Sequence, residues 1–365
     1  MARTMNIVHV SPDFNYSCGV SKYVFSLLKN LGQNEAYKLF FITNGGDALD
    51  KISDLNVTLT TINFTKGLRN IYNFYPNLRS LRKFCIQNNI DIIHTHHRYP
   101  EYLAHLISKE FQIKTVSTVH SLVKGKTIFS FKSDKLIAVS NSVKNMLEKY
   151  YKISPAKIVT HSNFLEPPDP KELKIDIDIK NNLSIPEDGK IILFLGRITK
   201  IKGIDLLIEA FKLLRRKDGK LFLLIIGQVY DSCLKSLLKN LPEGIILLGV
   251  VKNPYPYYSA ADIVVLPSRI DPFPFVMLEA GLMRKPFIGS RTGGIAEFIE
   301  DGKDGLLTIP EDVIDLKNKI GYLINTPQKA KTLAENLYQK VKNQTSREKY
   351  ISRLCKIYDE LLMEK

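Results

Sequence analysis

Two carboxylates, Asp271 and Glu279, stand with seven residues between them in the run Ser268-Arg-Ile-Asp-Pro-Phe-Pro-Phe-Val-Met-Leu-Glu-Ala280. The apolar run Asp262-Ile-Val-Val-Leu266 and then Pro267 come just before. Asp271 therefore falls in the loop after a strand, and Glu279 on the helix that follows. With that helix opening near Pro274, Glu279 lies about one and a half turns in, its side chain leaning back toward the N-terminus. One carboxylate at the loop and one over the first turns can bracket a ligand whose anion meets backbone N–H groups. Such a pair would grip the ligand at two sets of hydroxyls. A surface Asp and a helix-capping Glu have the same spacing, and this stretch alone leaves both readings open.

A second constellation is Gly196-Arg-Ile-Thr-Lys-Ile-Lys-Gly203, which follows an apolar strand and opens a helix over 204–214. Arg197 and Lys202 then sit at the carboxyl end of a strand, beside a helix N-terminus. Fixed positive charge, N–H donors and glycines that permit close approach suit a diphosphate. Basic strand–helix loops are also common surface features; glycine at both ends favours the phosphate reading. Together with the acidic pair, the loop describes a grip on a nucleotide-sugar.

The elements that must position these residues alternate regularly. Short apolar strands are expected at 6–10, 38–43, 91–95, 114–119, 135–139 and 158–161, with helices at 19–31, 78–88, 101–109 and 142–150. The rhythm restarts with strands at 190–196, 221–226, 245–248 and 263–266. This alternation predicts an α/β protein with parallel sheets. Glu166-Pro-Pro-Asp-Pro170 excludes helix and stiffens the chain, so a boundary falls there. The expected organisation is a first doubly wound domain over 1–168, a polar linker over 169–188 and a second domain over 189–345. A terminal helix over 346–365 carries a Tyr350, Leu354, Ile357 and Leu361 stripe and is expected to pack back on the first domain. Ligands of doubly wound sheets bind outside the carboxyl ends of the strands, so both domains are expected to face a central cleft there.

A chain of 365 residues is long for one core, in keeping with two domains. With 44% hydrophobic and 24% charged residues it reads as a globular protein with no membrane-spanning run. The first residues run straight into a strand, so no signal peptide is expected. Cys18, Cys85, Cys233 and Cys355 form no Cys-x-x-Cys pair and read as reduced thiols in a cytoplasm-like compartment. Of the net charge of +15, residues 1–168 supply +10 (21 Lys and Arg against 11 Asp and Glu). A basic first half suits an anionic membrane, a lipid-phosphate acceptor or nucleic acid, and equally a solvated lysine-rich surface.

Across nearly its whole length the chain resembles the retaining GT-B glycosyltransferases of family 4. The resemblance rests on motifs that match in order. In the second half they are Gly196-Arg197 with Lys202-Gly203, Leu248-Gly249, Tyr258, Ala261-Asp262, Pro267-Ser268, the acidic pair with Leu278-Glu279-Ala280, and Thr292-Gly-Gly294 with Glu297. The first half adds Cys18-Gly19-Val20, Asp91-Ile-Ile-His-Thr-His-His97, Thr118-Val-His120 and Ala138-Val-Ser140. The resemblance implies two doubly wound Rossmann-like domains in the GT-B architecture. It implies that Arg197 and Lys202 hold the donor diphosphate, that Glu279 takes the ribose hydroxyls, and that Asp271 faces the transferred sugar. Gly19 would admit the phosphate, His120 would contact the sugar, and Val250, Val251 and Lys252 would line the base. Two departures stand out: the family usually has Glu where Asp271 stands, and Pro272 and Pro274 replace glycines. Each proline removes an N–H, leaving Phe273, Phe275 and Val276 as donors.

The resemblance further implies a retaining transfer in which Arg and Lys do the work of a metal. The donor, expected to be uridine-based, would be a nucleotide-diphosphate sugar used as co-substrate, with no cofactor. The acceptor would be a glycan or lipid-linked hydroxyl in polysaccharide or glycolipid assembly. The protein would be cytoplasmic with a peripheral contact to an anionic membrane through its basic first domain, and no nucleic acid partner is expected. Two rival readings are a non-catalytic basic binding protein on a degenerate fold and a nucleotide-sugar epimerase or hydrolase on the same fold.

Other features carry less. Asp176-Ile-Asp178 has a metal-chelating form but lies in the linker. His94, His96 and His97 have no further ligand at a helpful spacing, and His9 reads as a hydrogen-bonded strand residue. No Gly-x-Gly-x-x-Gly or Gly-x-Ser-x-Gly occurs. Segment 66–83 interleaves Arg69, Arg79, Arg82 and Lys83 with Tyr72, Phe74 and Tyr75, which suits a membrane interface or a helix whose aromatics are core. Lys124, Lys126 and Lys132 add charge after His120.

Overall fold

A computed structural model describes residues 4–64, 72–173, 178–216, 219–231 and 234–363. The chain divides into two compact units, Met1–Phe164 with Arg347–Lys365, and Leu165–Ser346. The first holds a seven-stranded sheet in the order β3-β2-β1-β4-β5-β6-β7, and the second a six-stranded sheet in the order β10-β9-β8-β11-β12-β13. In the first these are β1 (Met5–Val10), β2 (Tyr37–Thr43), β3 (Val57–Thr61), β4 (Ile92–Thr95), β5 (Lys114–Val119), β6 (Lys135–Ala138) and β7 (Ile158–Thr160). In the second they are β8 (Lys190–Leu195), β9 (Leu221–Ile226), β10 (Ile245–Gly249), β11 (Ile263–Leu266), β12 (Phe287–Ser290) and β13 (Leu306–Thr308). Every named strand pair is parallel.

Parallel strands covered by helices on both faces must be apolar throughout, which is why Lys-Ile-Ile-Leu-Phe-Leu and Leu-Phe-Leu-Leu-Ile-Ile read so clearly in β8 and β9. Three strands escaped the sequence reading. β3, Val-Thr-Leu-Thr-Thr, is a largely exposed edge with no apolar run. β12 and β13 are four and three residues long, too short to show a pattern. The helix Arg98–Phe111 starts earlier than expected, because Pro100 lies in its first turn, where no intrahelical N–H bond is needed.

Within the first unit, the C-terminal helix Arg347–Met363 buries Tyr350, Leu354, Ile357, Tyr358 and Leu361. The Tyr350 and Tyr23 hydroxyls are hydrogen-bonded at 2.5 Å, and the His161 ring stacks on Tyr350 at 3.7 Å. In the second unit, the polar stretch after the proline run forms two short helices, Pro170–Leu173 and Ile179–Asn182. Asp178 caps the second of these by accepting from Asn181 N, while Asp176 lies outside the described residues.

Candidate active site

In a doubly wound sheet the strand order reverses at one place, and the loops leaving the two strands there diverge to leave room for a ligand. In the second unit that place lies between β8 and β11. Gly196–Gly203 leaves β8 and the Asp271 loop leaves β11. Gly203 must be glycine on two counts: its φ is +73°, and a Cβ would lie 1.9 Å from the Pro267 carbonyl oxygen. Thr199 caps the turn of Lys200–Lys202 by accepting from Lys202 N.

Arg269 ties the two loops together. Its backbone N–H donates to the Ile201 carbonyl at 2.8 Å, and its guanidinium makes a two-pronged pair with Asp205 at 2.8 and 3.0 Å. Thr292 Oγ1 donates to the Arg269 carbonyl, and Gly294 N to the Asp271 carbonyl. A Cβ at Gly294 would come within 2.1 Å of the Pro272 oxygen, so the glycines of Thr292-Gly-Gly294 let this backbone approach the acidic loop. Sequence reasoning assigned no role to Arg269; the available signal was a lone arginine beside the acidic loop and an Asp in the first turn of the facing helix.

The clamp brings Lys202 Nζ to 2.5 Å from Asp271 Oδ2, and Ser268 Oγ donates to the same oxygen. Asp271 is 2% exposed and the Lys202 side chain 15%, so the surface-Asp reading falls. Arg197 is exposed, and its side chain makes no hydrogen bond or ion pair among the described residues.

Glu279 is buried on the helix Phe275–Leu282, where Tyr258 OH donates to its Oε2 at 2.6 Å. It sits past the first turn and accepts from a side chain, so it is not a capping Glu. Burial, and then the Glu279 charge, push the Tyr258 phenol well above its ordinary range, which keeps it a donor. Phe275 and Val276 open that helix behind Pro274, and the Phe273 ring meets Phe298 edge-on. Val250, Val251 and Lys252 follow β10, with Val250 and Lys252 exposed.

The first unit's reversal lies between β1 and β4, and imidazoles fill it. Parallel pairing sets His9 opposite His94, supplying a neighbour that spacing along the chain did not reveal. Nitrogens of His9, His94 and His96 lie within 4.8 Å of one another, all buried. Both nitrogens of His94 are engaged, by Tyr358 OH at 2.6 Å and Thr118 Oγ1 at 2.8 Å. His9 Nδ1 and His96 Nε2 are 3.2 Å apart, while His9 Nε2 and His96 Nδ1 face no hydrogen-bond partner among the described residues. The expected hydrogen-bonded His9 is thus satisfied on one nitrogen only. Hydroxyls thus occupy both the donor and the acceptor nitrogen of His94, and the three rings read as neutral imidazoles bonded within the fold. Burial lowers His9 to about 3 and His94 and His96 well below their usual value. His120, after β5, meets the Tyr23 ring edge-on at 4.6 Å and is lowered to about 3 by desolvation and then by His97. Gly19 opens the helix Gly19–Leu31 and is exposed.

The basic–aromatic segment is only partly described: Lys66 and Arg69 lie outside the described residues. Tyr72 and Tyr75 are 82% and 79% exposed, so these aromatics are not core, whereas Phe74 packs against the core cluster. Lys124 lies over the Tyr150 ring, and Ile128 and Phe129 nearby in sequence are exposed. No helix among the described residues is long and apolar enough to cross a membrane.

Two all-parallel, doubly wound units, the second carrying a cation loop and an acidic loop at its reversal point, make up a GT-B architecture. The family model "Glycosyltransferase Family 4" matches residues 18–167 and "Glycosyl transferases group 1" matches residues 176–340. The chain belongs to the group 1, family 4 glycosyltransferases. It is 28% identical to an uncharacterized glycosyltransferase of Methanocaldococcus jannaschii, over 98% of this chain and 99% of that one. It is 29% identical to the N-acetyl-alpha-D-glucosaminyl L-malate synthase of Bacillus anthracis, over 76% of this chain and 77% of the relative. The solved structure of HepE from Anabaena in complex with UDP-glucose shares the fold at a TM-score of 0.83 and 16% identity, covering 98% of this chain and 100% of that one. The protein is a transferase acting on a sugar donor.

Proposed function

We propose that this glycosyltransferase takes a UDP-sugar as donor and transfers the sugar, with retention and without a metal, to a hydroxyl of a glycan or lipid-linked acceptor. The observation that carries the reading is the pair Arg197 and Lys202 beside the β8/β11 reversal, one exposed with no side-chain partner among the described residues and one paired with Asp271. Arg197 and Lys202 hold the diphosphate and stabilise the charge that grows on it as the anomeric C–O bond breaks. The acceptor oxygen bonds to the anomeric carbon on the face the phosphate leaves, and its proton passes to the departing phosphate oxygen. Glu279, kept in place by Tyr258, takes the ribose hydroxyls, and Val250, Val251 and Lys252 line the base. The amides of Phe273, Phe275 and Val276 serve the donor where Pro272 and Pro274 have none to give. The resemblance assigns Gly19 and His120 the first unit's share of the donor.

HepE's complex with UDP-glucose supports uridine as the base. The basic first unit, with Tyr72, Tyr75, Ile128 and Phe129 exposed, supports work on surface polysaccharide or glycolipid at the cytoplasmic face of an anionic membrane. The test is thermal unfolding in EDTA with UDP, GDP, ADP and their sugar conjugates, on wild type and Glu279→Ala. A ligand at 100 times its dissociation constant adds about 2.7 kcal/mol to a two-state fold. Stabilisation by uridine ligands alone, lost in the variant, is the expected result; no response to any nucleotide would overturn the reading.

A further inference from the structure

We propose that Arg269 is a positioning residue of the diphosphate site: paired with Asp205, it fixes the cation loop Gly196–Gly203 in place and acts on the donor through that loop. The inference rests on the donor reading above and leaves the roles of Arg197, Lys202 and Asp271 there unchanged.

The cation loop has little to hold itself with. Glycines with φ of +147° and +73° stand at its two ends, and its inner turn, Lys200–Lys202, is a single short 3-10 turn. Glycine ends leave the backbone permissive, and so short a turn has poor hydrogen-bond geometry of its own. The hold comes from outside. On the β9 side, Ile198 N donates to the Gln228 carbonyl at 2.8 Å and Lys200 N to Asp231 Oδ2 at 2.7 Å. On the β11 side, Arg269 places its N–H on the Ile201 carbonyl and its guanidinium on the Lys200 carbonyl and both oxygens of Asp205.

Arg269 also reaches further along the sheet. Thr292, after β12, donates to its carbonyl at 3.1 Å, and Glu311, after β13, lies 3.6 Å from its Nε. One residue of the loop after β11 thus meets the segments that follow β8, β12 and β13, its three companions in a row of adjacent strands. Asp271, the partner of Lys202, stands two residues further on. Each guanidinium nitrogen faces a protein oxygen: Nη1 those of Lys200 and Asp205, Nη2 that of Asp205, and Nε that of Glu311. The group is engaged within the fold, and its planar fork fits both carboxylate oxygens in a way a lysine ammonium does not. Without it, Arg197 and Lys202 would range more widely, and an arriving diphosphate would have to order them as it binds.

UDP binding to Arg269→Ala, Arg269→Lys and Asp205→Asn tests this, by calorimetry in EDTA well below each variant's unfolding temperature. Arg269→Ala should weaken UDP roughly tenfold, and Arg269→Lys, which keeps the charge and one prong, by less. Asp205→Asn should weaken it too, and adding it to Arg269→Ala should cost little more than either change alone. The sign for Asp205→Asn is decisive. Were Arg269 itself a phosphate contact, losing its counter-charge would tighten UDP. Tighter UDP in Asp205→Asn, or losses that add in the double variant, overturns the proposal. So does a lowered unfolding temperature with UDP affinity unchanged, the outcome for a pair that serves stability alone. Hydrogen exchange of the ligand-free protein gives a separate reading: the amides of Lys202 and Gly203, which close the turn on Thr199 and Lys200, should exchange severalfold faster in Arg269→Ala. If wild type binds no UDP, the donor reading fails by itself, and unchanged exchange at these amides would show that Arg269 does not hold the loop.

Discussion

The two sheets reverse direction in the same way, yet their reversal points are furnished oppositely. Between β8 and β11 stand an exposed Arg197, a partly buried Lys202 paired with a buried Asp271, and Glu279 on a helix packed on all sides. Between β1 and β4 stand uncharged rings: His9, His94 and His96, with Tyr23, Tyr350 and Tyr358 closing the space from the helices. All seven histidines of the chain precede residue 165, and the second unit has none. The same topology gathers charged groups in one unit and neutral buried rings in the other. What separates them is placement: the charged groups stand on the loop and helix that follow β8 and β11, whereas His9 and His94 lie within β1 and β4 themselves. The C-terminal helix supplies two of the three tyrosines, so that cluster is completed by the last residues of the chain.

The sharpest way to break this contrast is to cut one charge and one ring. Lys202→Ala should lower turnover by about a hundredfold to a thousandfold while leaving the first unit's unfolding unchanged. His9→Asn should do the reverse, lowering stability and leaving turnover within a few-fold. Steady-state kinetics beside urea unfolding separates the two, and a His9→Asn enzyme as crippled as Lys202→Ala would show that the imidazole cluster takes part in the chemistry.

Acid is the next lever. His9 and His120 are held near 3 in the folded chain, below the ordinary value of 6.5. The unfolded chain takes up these protons as pH falls through 6.5, and the folded chain does not until near 3. Stability from these groups is therefore complete above 6.5 and is lost progressively below it, by about 1.4 kcal/mol per pH unit for each imidazole. His161, lowered in the same direction by burial and then by Arg353, adds to the trend. Unfolding of the first unit should therefore shift to lower urea between pH 7 and 5.5. The second unit, without a histidine, should stay put over that range. Equal shifts in both, followed by hydrogen exchange resolved by segment, would remove the distinction.

The charged reversal point was largely legible in the sequence, and the neutral one was not. Arg197, Lys202, Asp271 and Glu279 lie on two short contiguous runs, each directly after an apolar strand, so spacing along the chain is nearly spacing in space. The strands and their parallel α/β class followed from alternation, except where strands were short or exposed, as in β3, β12 and β13. The histidine cluster draws on β1, β4 and the chain beyond it, with partners from β5 and a helix more than 250 residues away. Only the register of parallel strands puts His9 opposite His94, and register is a tertiary property. The Lys202–Asp271 contact was hidden for a related reason. Both residues were visible, but the arginine clamp that presses their loops together depends on Asp205, which lies beyond the loop in a helix.

The finest test concerns the closure of the ring cluster by the chain's end. Tyr350 OH and Tyr23 OH are bonded to each other, and Tyr23 also reaches Thr118 Oγ1 at 3.2 Å, which in turn bonds His94. Tyr350→Phe removes one hydroxyl and keeps the ring that stacks on His161. Tyr23 retains Thr118, so no buried hydroxyl is left wholly unpaired, and the loss should be about 1 kcal/mol. The unfolding midpoint should drop accordingly, with UDP affinity in the second unit unchanged. A loss of 3 kcal/mol or more, or weakened UDP binding, would mean that this hydroxyl supports a network extending beyond the first unit.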